Sequence, residues 1–527
     1  MKKITLISII ATVFWGLSCK NNQDMNITVE KNVFSTRMGD NPDKEMRLGK
    51  KLENPYTIEN MKKAYEDLKK KGITKNTDIH ANYLYIRFLP ENIEDYRLIH
   101  HNKEIELYDH PLDYEISTIG NKYKDPTTKD KPYTWYYCAI KSDFKIPNSV
   151  KHEILAELFL PLPNDKSLDL LSEDDKKFRK NLEKEALNIT GNASTIKNGR
   201  VMAYNPSGRI TMTDNVLGII GIDGVKVRAN RWFTTYTTLT DQNGNFFIND
   251  TFENPCNYSI KWERDDFDIL EGGSLANFQA YYHGPKQSDP WIQNIDGGLS
   301  LMYAAIHRAA IRYYYRNNTL RTPRNGTFWS RLSIAAYDWE NVGVNGEALT
   351  SGFVKSWLDF PDIRIYRPNR GSYAIYSTTI HELAHASHWA MDKWNFRNSD
   401  DVIIESWARC VQWHFTSIEY NQNWRSGIQF SDPNIQDGFN NIYTPIFIDL
   451  IDNNNQQCGT FWDEEFQINR QTPCNIVDNV NGYSIRQLED ILIGSRSMIQ
   501  LRENARNVYE NPSENNLNQL FSSYGIN

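Results

Sequence analysis

Cysteine is scarce in this chain. Six occur in 527 residues, and none stands in a Cys-x-x-Cys pair, so a cysteine-ligated zinc is not expected. Beyond the first twenty residues no apolar run approaches the length needed to cross a membrane. There is no internal repeat and no low-complexity tract. Basic charge is not in excess either: 59 Lys and Arg stand against 66 Asp and Glu, a formal charge of −7. That balance argues against nucleic acid as a partner, since such proteins normally present a basic face. What is present is the composition of a globular protein, 40% hydrophobic and 24% charged, with 14 Trp, 29 Tyr and 23 Phe. The length suggests about three or four domains.

The N-terminus is of another kind. In MKKITLISIIATVFWGLSCK, Lys2 and Lys3 precede an uncharged apolar run from Ile4 to Leu17, then a small residue and Cys19. The pattern is a secretory signal, set aside from fold reasoning. It resembles a bacterial lipoprotein signal, residues 1–19. That resemblance implies export, acylation of Cys19 and a lipid anchor in the cell envelope, at the outer membrane or cell surface, with residues 20–49 as a polar tether. The other cysteines, Cys138, Cys256, Cys410, Cys458 and Cys474, are odd in number, so at least one stays unpaired after export. Cys458 and Cys474 bracket a short loop-like segment and are the one pair that suggests a disulfide.

Periodicity divides the body into a multidomain chain. Residues 50–165 read as an α+β domain: a helix in NPYTIENMKKAYEDLKKKG, a strand in NYLYIRFLP, a helix through ENIEDYRLIHHN, strands in IELYDHP and YTWYYCAIK, and a helix in VKHEILAELF. Residues 166–198 read as an exposed helix and linker. Residues 199–267 alternate apolar and polar between turn residues, as in GVKVRA and YSIKWER, with Asn243-Gly244 as a hairpin signal. This central segment resembles the transthyretin-like, carboxypeptidase-regulatory-like β-sandwich, a module that accompanies secreted peptidases and carries no catalytic residues. From 272 to 527 the pattern is mainly α-helical, with a small edge sheet from LSIAAYDW and PDIRIYRP.

The chemistry concentrates in HELAHASHW, His381–Trp389. Positions i and i+4 share a helix face, so His381 and His385 can direct two imidazoles at one zinc ion at about 2.0–2.1 Å. Glu382, turned by roughly 100°, is free to act as general base on a solvent molecule whose pKa the metal lowers to about 7. A third ligand is needed. His388 lies about 10 Å along the axis from His381, too far for a straight helix to bring it in. Glu405, in IIESWARCVQW, follows His385 after 19 intervening residues, enough for a turn and a second helix, and Val402, Ile403, Trp407, Ala408 and Val411 supply the buried frame of that helix. Donors for an oxyanion are open among Tyr443, Tyr483 and His414. Trp389, Trp394, Trp407 and Trp413 read as core.

HELAH followed by ESWA resembles the gluzincin class of zinc metallopeptidases, which includes thermolysin and leucotriene-hydrolase-type aminopeptidases. The resemblance implies His381, His385 and Glu405 as ligands of one Zn2+, Glu382 as base, a peptide or protein substrate, and PDIRIYRP as the edge strand lining the cleft. Two departures stand out: Arg409 occupies the place of a thermolysin-type aspartate, and the glutamate-containing exopeptidase motif is missing. The competing reading is a non-catalytic surface-binding lipoprotein with a structural or degenerate zinc site.

Overall fold

The computed structural model describes residues 45–120, 123–163, 171–193, 203–273, 277–323, 331–337, 352–353, 362–366, 371–420, 444–452, 460–463, 468–471 and 476–527. The signal segment with Cys19, the tether up to residue 44, Cys458, Cys474 and Tyr443 lie outside the described residues. The protein is a mixed α/β, multi-sheet chain. Cys138, Cys256 and Cys410 are buried free thiols.

The N-terminal part pairs β1 (Arg47–Lys51) with β3 (Tyr114–Thr118), carries α2 (Ile93–His100), and is built on an antiparallel sheet in the order β4 (Tyr136–Lys141), β2 (Tyr83–Leu89), β5 (Lys151–Leu158). Helix α1 (Ile58–Lys70) starts as expected, with the Thr57 hydroxyl accepting from the Asn60 N–H. Three expectations are corrected here. VKHEILAELF is the edge strand β5, not a helix. A bulge at Leu155 breaks its pairing with β2, so Tyr85 faces Ala156 but Ile86 faces Ile154, and the two-residue alternation that would have marked a strand is lost. The segment expected as an exposed helix and linker contains α3 (Glu173–Ile189), which packs on α1 and buries Phe178, Leu182, Ala186 and Leu187 in one cluster with Met61 and Leu68. IELYDHP forms only a single bridge, Tyr108 to Tyr137, rather than a strand. Its side chains instead bury against the next unit: Arg228, fully buried, donates to Glu106 Oε1 at 3.0 Å and to the Leu107 carbonyl at 3.0 Å.

The central part holds two sheets. One has the order β10 (Asn245–Phe247), β6 (Ser207–Asp214), β15 (Trp291–Ile295), with β7 (Gly218–Gly221) also on β6; the other is β14 (Tyr281–Gln287), β11 (Cys256–Lys261), β8 (Lys226–Arg231), β9 (Thr234–Leu239). They meet through aromatic rings, Phe246 and Trp291 on one sheet against Tyr258 on the other. The hairpin at Asn243-Gly244 forms as the sequence indicates. Gly244 has φ 80°, and a Cβ there would lie 2.0 Å from the Ile210 carbonyl oxygen, so only glycine fits. Strands β14 and β15 complete these sheets from beyond residue 267, while β12 (Phe267–Glu271) leaves them to pair in parallel with β16 (Leu332–Tyr337) of the following sheet.

That following sheet has the order β13 (Phe278–Gln279), β12, β16, β18 (Ile363–Tyr366), β17 (Gly352–Phe353). PDIRIYRP is therefore not the outermost strand. Gly352 and Phe353 pair antiparallel on its outer side, a fact that the alternation within β18 does not encode. Against the sheet pack α4 (Gly298–Tyr315) and α5 (Ser372–Met391), and α7 (Asp401–Tyr420) packs on α5, with the short α6 (Lys393–Asn398) between those two in sequence. One continuous core runs from Val227 and Tyr258 of the sandwich through Ile306, Ile380 and Leu383 to Trp407 and Val411.

Candidate metal centre

Helix α5 is buried on nearly every side, as an apolar helix inside a large core must be. Its first turn is held from the central sheets. The Asn215 side-chain oxygen accepts from the Tyr373 N–H at 2.8 Å, and the Ser372 hydroxyl donates to Asp214 Oδ2 at 3.0 Å. The same Asp214 oxygen accepts from Arg308 of α4 and Tyr420 of α7, each at 3.0 Å. One carboxylate from β6 thus ties three helices. Farther along, Gln412 Nε2 donates to the Ser377 hydroxyl at 2.6 Å and locks α7 beside α5.

This frame brings three of the expected side chains together. His381 Nε2 and His385 Nε2 are 3.0 Å apart, His381 Nε2 is 3.2 Å from Glu405 Oε2, and His385 Nε2 is 3.5 Å from Glu405 Oε1. A tetrahedral ion with bonds of 2.0–2.1 Å sets its ligand atoms about 3.3 Å apart, so the triangle has the size and the donor chemistry of a His-His-carboxylate metal site. All three side chains are buried, at 6%, 2% and 9% exposure for His381, His385 and Glu405. Ile403, Trp407, Ala408 and Val411 are buried as the frame required, with Val402 partly so.

Glu382 lies in the same pocket and is buried. Its Oε2 and the Nδ1 of His381 have no hydrogen-bond partner among the described residues. Burial pushes the Glu382 carboxyl up to about 7; His385 pulls it down, Glu405 pushes it up, and the Phe353 N–H from the outermost strand pulls it down. Burial alone would raise Glu405, but His385 and His381 outweigh it and hold that carboxyl well below the usual carboxylate range. Burial lowers His381 to about 4, against the hydrogen bond it makes to Glu405, so its imidazole is neutral and able to ligate at neutral pH.

The remaining candidates fall elsewhere. The His388 ring packs edge-on to Phe396 with centroids 4.9 Å apart, outside the triangle. Tyr483 is core, its hydroxyl directed at the Ala505 carbonyl at 3.4 Å, and His414 packs on Phe415. Arg409 lies close enough to lower both His381 and Glu382, and it donates to Gln412 Oε1 at 3.0 Å. Two other groups of potential ligands converge among the described residues: Asp109, His110 and His283, and the all-carboxylate set Asp449, Asp452 and Asp478. The first was not legible in the sequence, because it joins residues 174 positions apart; the second carries no ligand spacing that marks a site.

Comparison with known proteins yields no match: no family model, no curated protein and no solved structure is similar to the chain. The functional reading rests on the geometry alone.

Proposed function

We propose that the protein is a zinc-dependent metallopeptidase, with His381, His385 and Glu405 holding the ion. The observation that carries this is the triangle of 3.0, 3.2 and 3.5 Å beside a buried glutamate with an unsatisfied oxygen. A purely structural zinc has no use for that glutamate, since an orphaned buried carboxylate oxygen costs roughly 1–3 kcal/mol.

When bound, zinc supplies Lewis acidity toward a carbonyl and lowers the pKa of a coordinated solvent molecule to about 7. The chain's own groups do the rest. Glu382, fixed by the Phe353 N–H, takes a proton from the attacking solvent molecule and returns it to the leaving amine. Gly352–Phe353, outermost in the described sheet, places extended backbone next to this carboxylate, a setting suited to a peptide laid along it. Lipid anchoring through Cys19 would put this activity at the envelope surface.

The test is a peptide-library digest by the full chain with and without chelator, beside Glu382→Gln. Cleavage that vanishes with chelator and in the variant, with zinc retained by the variant, is expected. A zinc-loaded, folded wild type that cleaves no peptide would instead support the binding-lipoprotein reading.

A further inference from the structure

The second His-His-carboxylate cluster lies where the N-terminal part meets the central sheets. Asp109 and His110 belong to the segment that buries itself against β8, β11 and β14, and His283 is on β14 itself. All three are buried, at 5%, 6% and 2% exposure. Asp109 Oδ1 is 2.7 Å from His110 Nδ1, and Asp109 Oδ2 is 3.1 Å from His283 Nε2. One ligand atom from each residue lies within 4.8 Å of the others.

The two rings are set as at the first centre. The His110 and His283 rings meet at 85° with centroids 5.1 Å apart, beside 86° and 4.6 Å for His381 and His385. Asp109 faces both rings, one carboxylate oxygen to each, so a single carboxylate anchors the cluster. Two imidazoles and one carboxylate select a transition metal of the zinc type over calcium or magnesium, which take oxygen ligands.

We infer that Asp109, His110 and His283 form a second binding site for a zinc-type divalent cation, which clasps the segment around residue 109 to the central sheets. Because His283 lies 174 positions from Asp109, an ion here crosslinks two distant parts of the chain. Among the described residues, 105–111 make one backbone bridge to their neighbours, Tyr108 to Tyr137, and are further anchored by side chains such as Arg228, which donates to Glu106 and to the Leu107 carbonyl.

The experiment is zinc stoichiometry by elemental mass spectrometry on the full chain, after zinc loading, desalting and incubation with millimolar calcium to fill carboxylate-only groups. Wild type is expected to hold two zinc ions per chain, His381→Ala/His385→Ala one, and Asp109→Asn one. Combining all three substitutions is expected to leave none. Zero zinc in His381→Ala/His385→Ala overturns the proposal, as does an Asp109→Asn chain holding as much as wild type. Should Asp109→Asn fail to fold, the first variant decides, and Co2+ reconstitution of that variant gives a second readout: visible d–d absorption of an imidazole-ligated ion is expected, and its absence overturns the site. Loss of the first centre in wild type would leave one zinc that Asp109→Asn removes, so the two readings fail separately.

Discussion

Asn215, at the turn between two strands of the central sheets, caps the helix that carries His381 and His385: its side-chain oxygen accepts the Tyr373 N–H at 2.8 Å. The approach is close, because a Cβ on Gly371 would lie 2.4 Å from the Asn215 side chain. Helix N-termini leave N–H groups unsatisfied, and here the satisfying group comes from 158 positions away. Asn215→Ala is expected to cost about 1 kcal/mol, the usual worth of a side-chain cap, and to lower the melting temperature by a few degrees. Differential scanning calorimetry of the two chains checks it. An unchanged melting temperature would show that the cap is idle.

Glu405→Ala removes one corner of the triangle and leaves the two imidazoles without their carboxylate partner. Zinc affinity is expected to fall by at least 100-fold, and peptide cleavage should be lost at zinc concentrations that saturate wild type. Glu382→Gln is expected to leave affinity within a few-fold while lowering kcat by about 10²–10⁴, the range of a lost general base. Zinc titration against a competing chelator, run beside the cleavage assay, separates the two roles.

How much of this was legible in the sequence varies with the range of the forces involved. Helix α5 with its paired histidines and its partner α7 were readable because the i, i+4 spacing and the apolar frame around Glu405 are local. Lys151–Leu158 was not, because its exposed, bulged edge position removes the alternation that marks a strand. Nor was the outer place of Gly352–Phe353 beyond Ile363–Tyr366, since strand order in a sheet is decided by packing between distant segments. The caps and clusters at Asn215 and Asp109 share that limit. Each is a contact across more than 150 positions, with no local pattern to announce it.

A partly buried carboxyl away from the candidate metal centre gives the pH prediction. Burial raises Asp362 to about 6, although it accepts the Ser333 N–H at 2.9 Å. The folded carboxyl holds its proton at a pH where the unfolded one, near 3.8, has lost it. Its contribution to stability is therefore intact below about pH 4 and disappears as pH rises through 6. Asp362→Asn keeps an acceptor for Ser333 without the charge. It is expected to stabilise the protein by about 1–2 kcal/mol at pH 7.5 and by nothing near pH 4. Denaturant melts at both values would reveal an equal effect if the assignment is wrong.

Arg409 presents two opposing effects on the metal triangle, and their sizes decide the outcome. As a cation beside His381 it repels a bound ion, but by lowering that histidine it also keeps protons from competing. At neutral pH the second effect has nothing left to do, because His381 already stands at about 4 through burial. Repulsion is what remains, on the order of 1 kcal/mol for charges several ångströms apart in a partly screened site. Arg409→Met, which keeps the aliphatic packing, is expected to tighten zinc binding by about 5- to 10-fold at pH 7.5, with Gln412 still donating to Ser377. Competition with a chelating dye measures it directly. Weaker binding in the variant would mean that Arg409 orients the ligands through Gln412 rather than opposing the ion.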